Sequence, residues 1–508
     1  MANTELKTLA QKSPIGKIFD FADFFSPMLV KEIRQGIRSM GFTIIFIVAQ
    51  VLLSIAILLI LSLGEADSAN ALSHILFVTY IIVACGIQPL RGANAVNGEV
   101  KGNTIDLLSI TQLSSWKIVY GKWVSIMSQS LLFTISLLPY LILRYFLGQM
   151  ALFSELIIFF LIFIIGSGVT AISIGFSAIP STIFRFLGIG LLVAFVQITM
   201  LSSTAMLFGY QREIYQIFDD ILSEPDALIT IAGFFFALLY LSWLALDLAA
   251  SRIAPRSENR AFLRRILSLS FLFISAIANI VIWFNRSSPL HMDEVSTILT
   301  FSSLLLFIPN IIATTAERAY IAKNISQAMV RKRLLGIGRK FLYPGWASGT
   351  LFLIVATILL SVQCLCTFTL ILDGDAFLHL DSNTDAYSMS CWFYSILGIF
   401  LLPAAIVSLL KRDTEKPITF YMLGLVSITL VSTIIMIVDN SLEGIAYFFI
   451  WLPQVNGILS NGYSLSSVVL PFFSSFIIII VSLVILLISS MPHLKAIKKA
   501  EKTLISQD

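Results

Sequence analysis

Apolar residues in this chain fall in long, nearly unbroken runs, without the one-sided or alternating patterns that mark a water-soluble protein. A bilayer core takes roughly 20 apolar residues per helical crossing, and about twelve such runs are set apart by polar punctuation. The first six are Phe42 to Leu63, Leu72 to Leu90, Trp123 to Leu147, Leu152 to Ala178, Ile183 to Gly209 and Ala227 to Ala250. The next six are Ile266 to Asn285, Ser296 to Thr315, Trp346 to Leu372, Met389 to Leu410, Ile418 to Val438 and Ser466 to Ser490. Hydrocarbon offers no partner to a backbone N–H or C=O, so runs of this length must be helices. A transmembrane β-barrel needs short alternating segments, which this pattern lacks. The pattern predicts an all-α, polytopic membrane protein with about 12 transmembrane helices arranged as 6+6.

Composition agrees. Of 508 residues, 57% are hydrophobic and 12% charged, about half the usual charged share of a soluble domain. The formal charge of +4 gives no basic excess that would point to nucleic acid. Where the charges lie matters more. Thirty of the 33 Lys and Arg fall on one side of the predicted membrane, leaving Arg144, Arg212 and Arg286 for the other. By the positive-inside rule this puts both termini in the cytoplasm, and the expected location is the cytoplasmic (inner) membrane. The first run reads as a retained anchor, because it is too long for the apolar region of a cleaved leader. Gly444 to Ser460 is apolar but carries Pro453 and Gly457. It is expected to be re-entrant or surface-lying, since a full crossing would carry the Lys498 and Lys499 tail to the outside.

The resulting layout is a cytoplasmic N-terminus (1–41), a first six-helix membrane domain (42–250) with a cytoplasmic loop at 91–122, and a basic linker (251–265). A second six-helix domain (266–490) and a basic tail (491–508) complete it.

Ahead of the first span, Ser26 and Pro27 form a helix start. Leu29, Ile33, Ile37 and Met40 then recur on one stripe, while Lys31, Arg34 and Arg38 line another. Such a helix is expected to lie at the headgroup level, with its cations toward anionic membrane lipid.

The loop from Arg91 to Lys122 is long for a connection between adjacent membrane helices. Asn103 or Thr104 can cap a short helix there, Asp106 suits its positive first turn, and Ile105, Leu108 and Ile110 supply an apolar flank. A short capped helix of this kind needs a surface to bury against, either the membrane or the groove of a soluble partner.

Here the chain resembles the permease subunits of type-2 ATP-binding cassette exporters. Those carry a Glu, then Gly-Thr-Leu-Glu-Leu-Leu, Thr-Pro-Leu-Ser, an Ile-Val pair and Gly-Lys in this loop. Glu99, Thr104, Asp106, Leu107, Leu108, Thr111, Leu113, Ser114, Ile118, Val119, Gly121 and Lys122 match or conservatively replace those positions. Asn103 stands where Gly is usual, with Gly102 one place early, and Gln112 stands where Pro is usual. Ser26, Pro27, Val30, Lys31, Glu32, Arg34, Gln35 and Arg38 look like the family's N-terminal helix. The resemblance covers about the first half of the chain. It implies that the loop holds a coupling helix docking on a cytoplasmic ATPase, with Glu99, Gly102, Thr104, Ile105, Asp106, Leu107, Leu108 and Thr111 at the contact.

The chain carries no ATP site of its own and no catalytic residue. Gly457, Gly462 and Ser464 have the spacing of a phosphate-binding loop, but Tyr463 replaces the Lys that reaches the phosphates. ATP and Mg are therefore expected in a partner subunit. The second half repeats the topology of the first, with its long loop at Arg318 to Lys340, which hints at a fused pair. The other architecture is a homodimer in which the later spans are accessory.

Inside the spans, Arg144, Glu155 and Asp247 lie near helix ends, where long side chains reach the interface. Gln129, Gln197, Asn279 and Asn310 are deep and expected to bond between helices. Pro139, Pro309, Pro403 and Pro471 are expected to kink theirs. The shortage of mid-membrane charge counts against the alternative of an ion-coupled 6+6 carrier, and a lining of Phe, Leu and Ser suits amphipathic or lipid-like cargo. A membrane enzyme or assembly scaffold is the third class. His74, His291, His379 and His493 show no ligand spacing for a metal. Cys85, Cys364 and Cys366 lie in apolar runs and read as inert buried thiols; Cys391 lies near an outer face, within range of a pairing with Cys366.

Overall fold

The computed structural model describes residues 27–63, 68–102, 114–147, 152–209, 225–255, 258–284, 292–317, 325, 327, 341–373, 380–410, 417–439, 452–453 and 465–505. Among these residues every regular element is helical. Twelve of the helices are long and apolar enough to cross a membrane, as expected of an integral, multi-pass membrane protein. The chain divides into two compact units, residues 1–178 with 185–253, and residues 179–184 with 254–508.

The first unit opens with a short helix, α1 (Pro27–Ile37), followed by α2 (Met40–Leu63). The second long helix is jointed: α3 (Ser68–Ile81), a π-helical turn (Ile82–Ile87), α4 (Gln88–Gly92) and α5 (Ala95–Lys101). After it come α6 (Ser115–Leu147), α7 (Leu152–Phe176), α8 (Thr182–Gly209) and α9 (Pro225–Ile253). The second unit contains α10 (Ala261–Phe284), α11 (Met292–Ala316), α12 (Trp346–Asp373), α13 (Leu380–Leu410), α14 (Pro417–Asp439) and α15 (Leu465–Ile505).

Side-chain placement follows from the solvent being hydrocarbon. In α2, Ala49, Leu53 and Ile57 recur every four residues and are buried, while Ile44, Ile47, Val48, Val51, Leu52, Ile55 and Leu58 are exposed. In α10 the order is inverted relative to a soluble helix. Arg264, Arg265, Ser268, Ser275 and Asn279 face inward, and Leu263, Leu267, Phe273, Ile274, Ile277 and Val281 face outward.

The buried polar face of α10 is bonded along its length. Ser268 Oγ donates to Asn310 Oδ1 at 2.9 Å. Gln363 Nε2 donates to Ser275 Oγ at 2.7 Å, and Ser296 Oγ to Asn279 Oδ1 at 2.7 Å. The Thr367 hydroxyl lies 2.8 Å from those of both Ser296 and Thr300. Asn279 and Asn310 thus bond between helices as expected, and Gln363 is a third such amide.

In the first unit, the Tyr80 ring stacks on Phe159 at 4.8 Å and its hydroxyl meets that of Thr134 at 2.8 Å. Small residues bring backbones together here. A Cβ on Gly166 would lie 2.7 Å from the Ala84 carbonyl oxygen, and one on Gly175 3.0 Å from Cα and O of Ala245.

Several expectations change. Arg144 and Glu155, read as reaching the interface, are buried and ion-paired with each other, tying the end of α6 to the start of α7. A charge near a helix end turns inward when its counter-charge is within reach. Asp247 is buried as well. No disulfide joins Cys366 and Cys391; the Cys391 sulfur lies 3.9 Å from the hydroxyls of Ser395 and Ser475. Pro139, Pro309, Pro403 and Pro471 lie inside helices that continue through them. Of the 444–460 segment only Leu452 and Pro453 lie among the described residues; both are buried. Pro453 carbons stand 3.2 Å from where Gly398 would carry a Cβ, well inside α13.

Gly175→Ala and Gly166→Ala should each destabilise the purified protein, by about 1–3 kcal/mol, because backbone rather than a movable side chain meets the new methyl. Gly190→Ala, which meets nothing within 4 Å, should leave thermal unfolding in detergent unchanged or slightly raised.

Candidate functional site

The best-supported functional locus is the base of the loop between the second and third long helices. Thr104, Ile105, Asp106, Leu107, Leu108 and Thr111 lie outside the described residues, but both ends of their segment are described. Glu99 is half-buried on α5, and Gly102 is exposed at the end of that helix. On the other side α6 begins at Ser115. The predicted 91–122 loop is therefore helical at both ends. Arg91 and Lys122, read as boundary charges, sit inside helices because each has partners within the protein.

Lys122 Nζ is 2.8 Å from Glu99 Oε1 and 3.5 Å from Glu32 Oε1. One ammonium on α6 thus joins the near flank of the loop to α1. Ser125 Oγ donates to the Glu32 carbonyl at 2.7 Å. Gly36 leaves room for Gln129: a Cβ there would lie 2.2 Å from the Gln129 amide nitrogen. Leu29, Glu32 and Gly36, at spacings of three and four, thus place one face of α1 on α6. The helix expected at the headgroup level packs on α6 along that face. Lys31, Arg34 and Arg38 are exposed.

Arg91 on α4 completes the cluster. Its guanidinium bonds Gln129 Oε1, reaches Ser39 Oγ at 2.8 Å, and lies over the Phe42 ring at 5.6 Å. Below it, α5 is seated by apolar contacts among Val96, Val119, Ala171, Ile174 and Ala249. The Val96 N–H donates to Ser177 Oγ at 3.2 Å. The described residues on both sides of 103–113 are thus packed into the first unit.

The second unit fastens its own long loop with different chemistry. Glu317, just past α11, takes Arg264 on one carboxylate oxygen and Arg265 on the other. Arg265 also donates to the carbonyls of Phe341 (2.9 Å), Tyr343 (2.7 Å) and Gly345 (3.0 Å). The Gly345 N–H returns to Glu317 Oε2 at 3.0 Å. Gly345 has φ 117°, a region in which a Cβ is strained. This knot joins the residues on either side of 318–340, a stretch that, apart from Ile325 and residue 327, lies outside the described residues. Ile325 is buried with Tyr343 and Ile497 of the same unit.

Sequence reasoning counted Arg264 and Arg265 only as topological charge. The available signal was a doubled Arg at the start of one apolar run and a lone Glu at the end of the next. Among the described residues no three His, Cys, Asp or Glu side chains gather as a metal site.

Glu317→Leu leaves two buried guanidinium groups without their carboxylate and should cost about 3–5 kcal/mol, read as a fall in the unfolding midpoint of the purified protein. Lys122→Met and Glu99→Gln, combined in a double-mutant cycle, should show a coupling of about 1 kcal/mol or less, since the pair is partly solvated.

No family model matches the chain, and neither a curated protein nor a solved structure does, so its function has to be read from the residues themselves.

Proposed function

We propose that the chain is the membrane-embedded permease of a type-2 ATP-binding cassette exporter. A separate cytoplasmic ATPase that binds ATP and Mg drives it, gripping the loop around Thr104 to Thr111. The reading is carried by one conjunction. The loop that bears the exporter-like residues is tied across its base by Lys122 and Glu99, and the same Lys122 reaches α1 through Glu32. A docking segment held this way moves α1, α5 and α6 together when it is displaced.

The division of the chain after Ile253, between the sixth and seventh long helices, supports the fused 6+6 architecture over a homodimer of the chain. Beyond the Arg264–Arg265–Glu317 knot at its start, the polar side chains that bond along the buried face of α10 are Ser, Thr, Asn and Gln among the described residues. An ion-coupled carrier would place carboxylates there, so a path for amphipathic or lipid-like cargo is the better fit. In this reading the protein lies in the inner membrane with both termini cytoplasmic, and α1 presents Lys31, Arg34 and Arg38 to anionic headgroups.

Purified from its native membrane, the chain should bring down a subunit that hydrolyses ATP. Asp106→Arg or Leu108→Asp should remove that subunit by at least tenfold, while the membrane level of the chain is unchanged. Retention of the ATPase in both variants would end the coupling role.

A further inference from the structure

The second long helix of the first unit is built unlike its neighbours. α6 runs 33 residues without a break, whereas the helix that enters the same loop from the other side is interrupted twice within 13 residues. The first interruption is the π turn Ile82–Ile87, whose exit N–H, on Gln88, bonds the Val83 carbonyl five residues back. The second is Asn94, at φ −113° and ψ 6°, outside the helical region. Between them lies a five-residue segment, α4, and Arg91 is on it.

Such π turns carry one residue more than an α-helix needs, and they concentrate at functional positions. This one is held from outside. Gln197 on α8 donates its amide to the Ile81 carbonyl at 3.0 Å. Gly86 is open enough to admit that amide, since a Cβ there would meet Gln197 Nε2 at 2.6 Å. Gly166 lets α7 approach the Ala84 carbonyl, and the Cys85 thiol points to the Ile162 carbonyl at 3.9 Å. Another group works against the arrangement. Gln88, at the head of α4, is 1% exposed, and its Oε1 has no hydrogen-bond donor among the described residues. An unpaired acceptor at this depth disfavours the present register.

We infer that the π turn is a register switch that sets whether Arg91 fastens the junction of α1 and α2, at Ser39 and Phe42, to Gln129 of α6. Moving the extra residue from the π turn to the break at Asn94 shifts α4 by one position, which is a rotation of about 100° and a rise of about 1.5 Å. That carries the Arg91 guanidinium away from Gln129, Ser39 and Phe42 and frees the Gly36 side of α1. Gln197 favours the observed register and the orphaned Gln88 oxygen opposes it, which narrows the gap to the shifted register and lets a modest push select between them. What the switch serves rests on the coupling reading above; the switch itself is a property of this chain alone.

The test is hydrogen exchange of the amides at that junction in the full-length protein in lipid nanodiscs, without any ATPase. Removing one charged hydrogen-bonding group opens a local structure roughly tenfold or more. Gln197→Leu should therefore raise exchange at the C-terminal end of α1 and its junction with α2, residues 36–42, about tenfold while α7 and the second unit are unchanged. Arg91→Gln should raise it equally, and adding Gln197→Leu to Arg91→Gln should add nothing, because both act through one guanidinium. Gln88→Leu removes the orphaned oxygen and should slow exchange instead. Asn279→Leu, a buried amide of the second unit, controls for general loosening and should not move the junction. The inference is overturned if Gln197→Leu leaves the junction at the wild-type rate, loosens all first-unit helices alike, or adds to Arg91→Gln. If Gln197→Leu does not insert, an unchanged or faster rate in Gln88→Leu overturns it. Because no ATPase is present, this result and the loss of a co-purifying subunit in the loop variants can fail separately.

Discussion

A polar atom inside a bilayer has no water to fall back on, so each one must find its partner within the protein or be driven out of the hydrocarbon. Most of the informative geometry in this chain follows from that constraint. Arg144 turns to Glu155, Arg265 spends its guanidinium on a carboxylate and three carbonyls, and the amides of Asn279 and Gln363 close on hydroxyls of neighbouring helices. Apolar side chains, which in water would form the core, are free to face lipid, and α2 and α10 show how completely they do so.

Each unit, taken by itself, ties together the described residues that flank one long loop, and the two solutions differ in kind. In the first, a flexible lysine in a partly solvated setting spans two carboxylates on different helices. Such a link yields to modest force, because exposed ion pairs are weak and an ammonium has no preferred fork. In the second, two arginines share one carboxylate and bond backbone carbonyls, with a glycine in a conformation closed to other residues. Planar guanidinium groups locked at several points resist distortion. A pliant fastening suits a loop that moves, and a stiff one suits a loop that stays seated.

Run length made the twelve spans legible, because about 20 consecutive apolar residues leave little choice of structure. Deep amides such as Asn279 and Asn310 could be assigned to interhelical bonds for the same reason. The ends of the helices could not. Arg91 and Lys122 looked like boundaries, since charge normally marks the water side, and only their partners from other helices explain why the helices run past them. Residues far apart in sequence meet in the Arg265–Glu317 knot, and nothing local announces it. The π turn escaped notice because Ile82 to Ile87 reads as any other apolar stretch; its cause lies on other helices, in Gln197 and Gly166. The motif residues from Thr104 to Thr111 came from likeness alone, and the described residues settle only where their flanks lie.

The unbroken course of α6 has a mechanical consequence. At about 1.5 Å per residue its 33 residues span about 50 Å, well beyond the roughly 30 Å hydrocarbon slab. Its first residues adjoin the loop, and near its far end Arg144 is bolted to Glu155 of the next helix. A tilt imposed at one end of α6 is therefore carried along a single helix, softened at Pro139 where one backbone hydrogen bond is missing, and is handed across that bolt to α7.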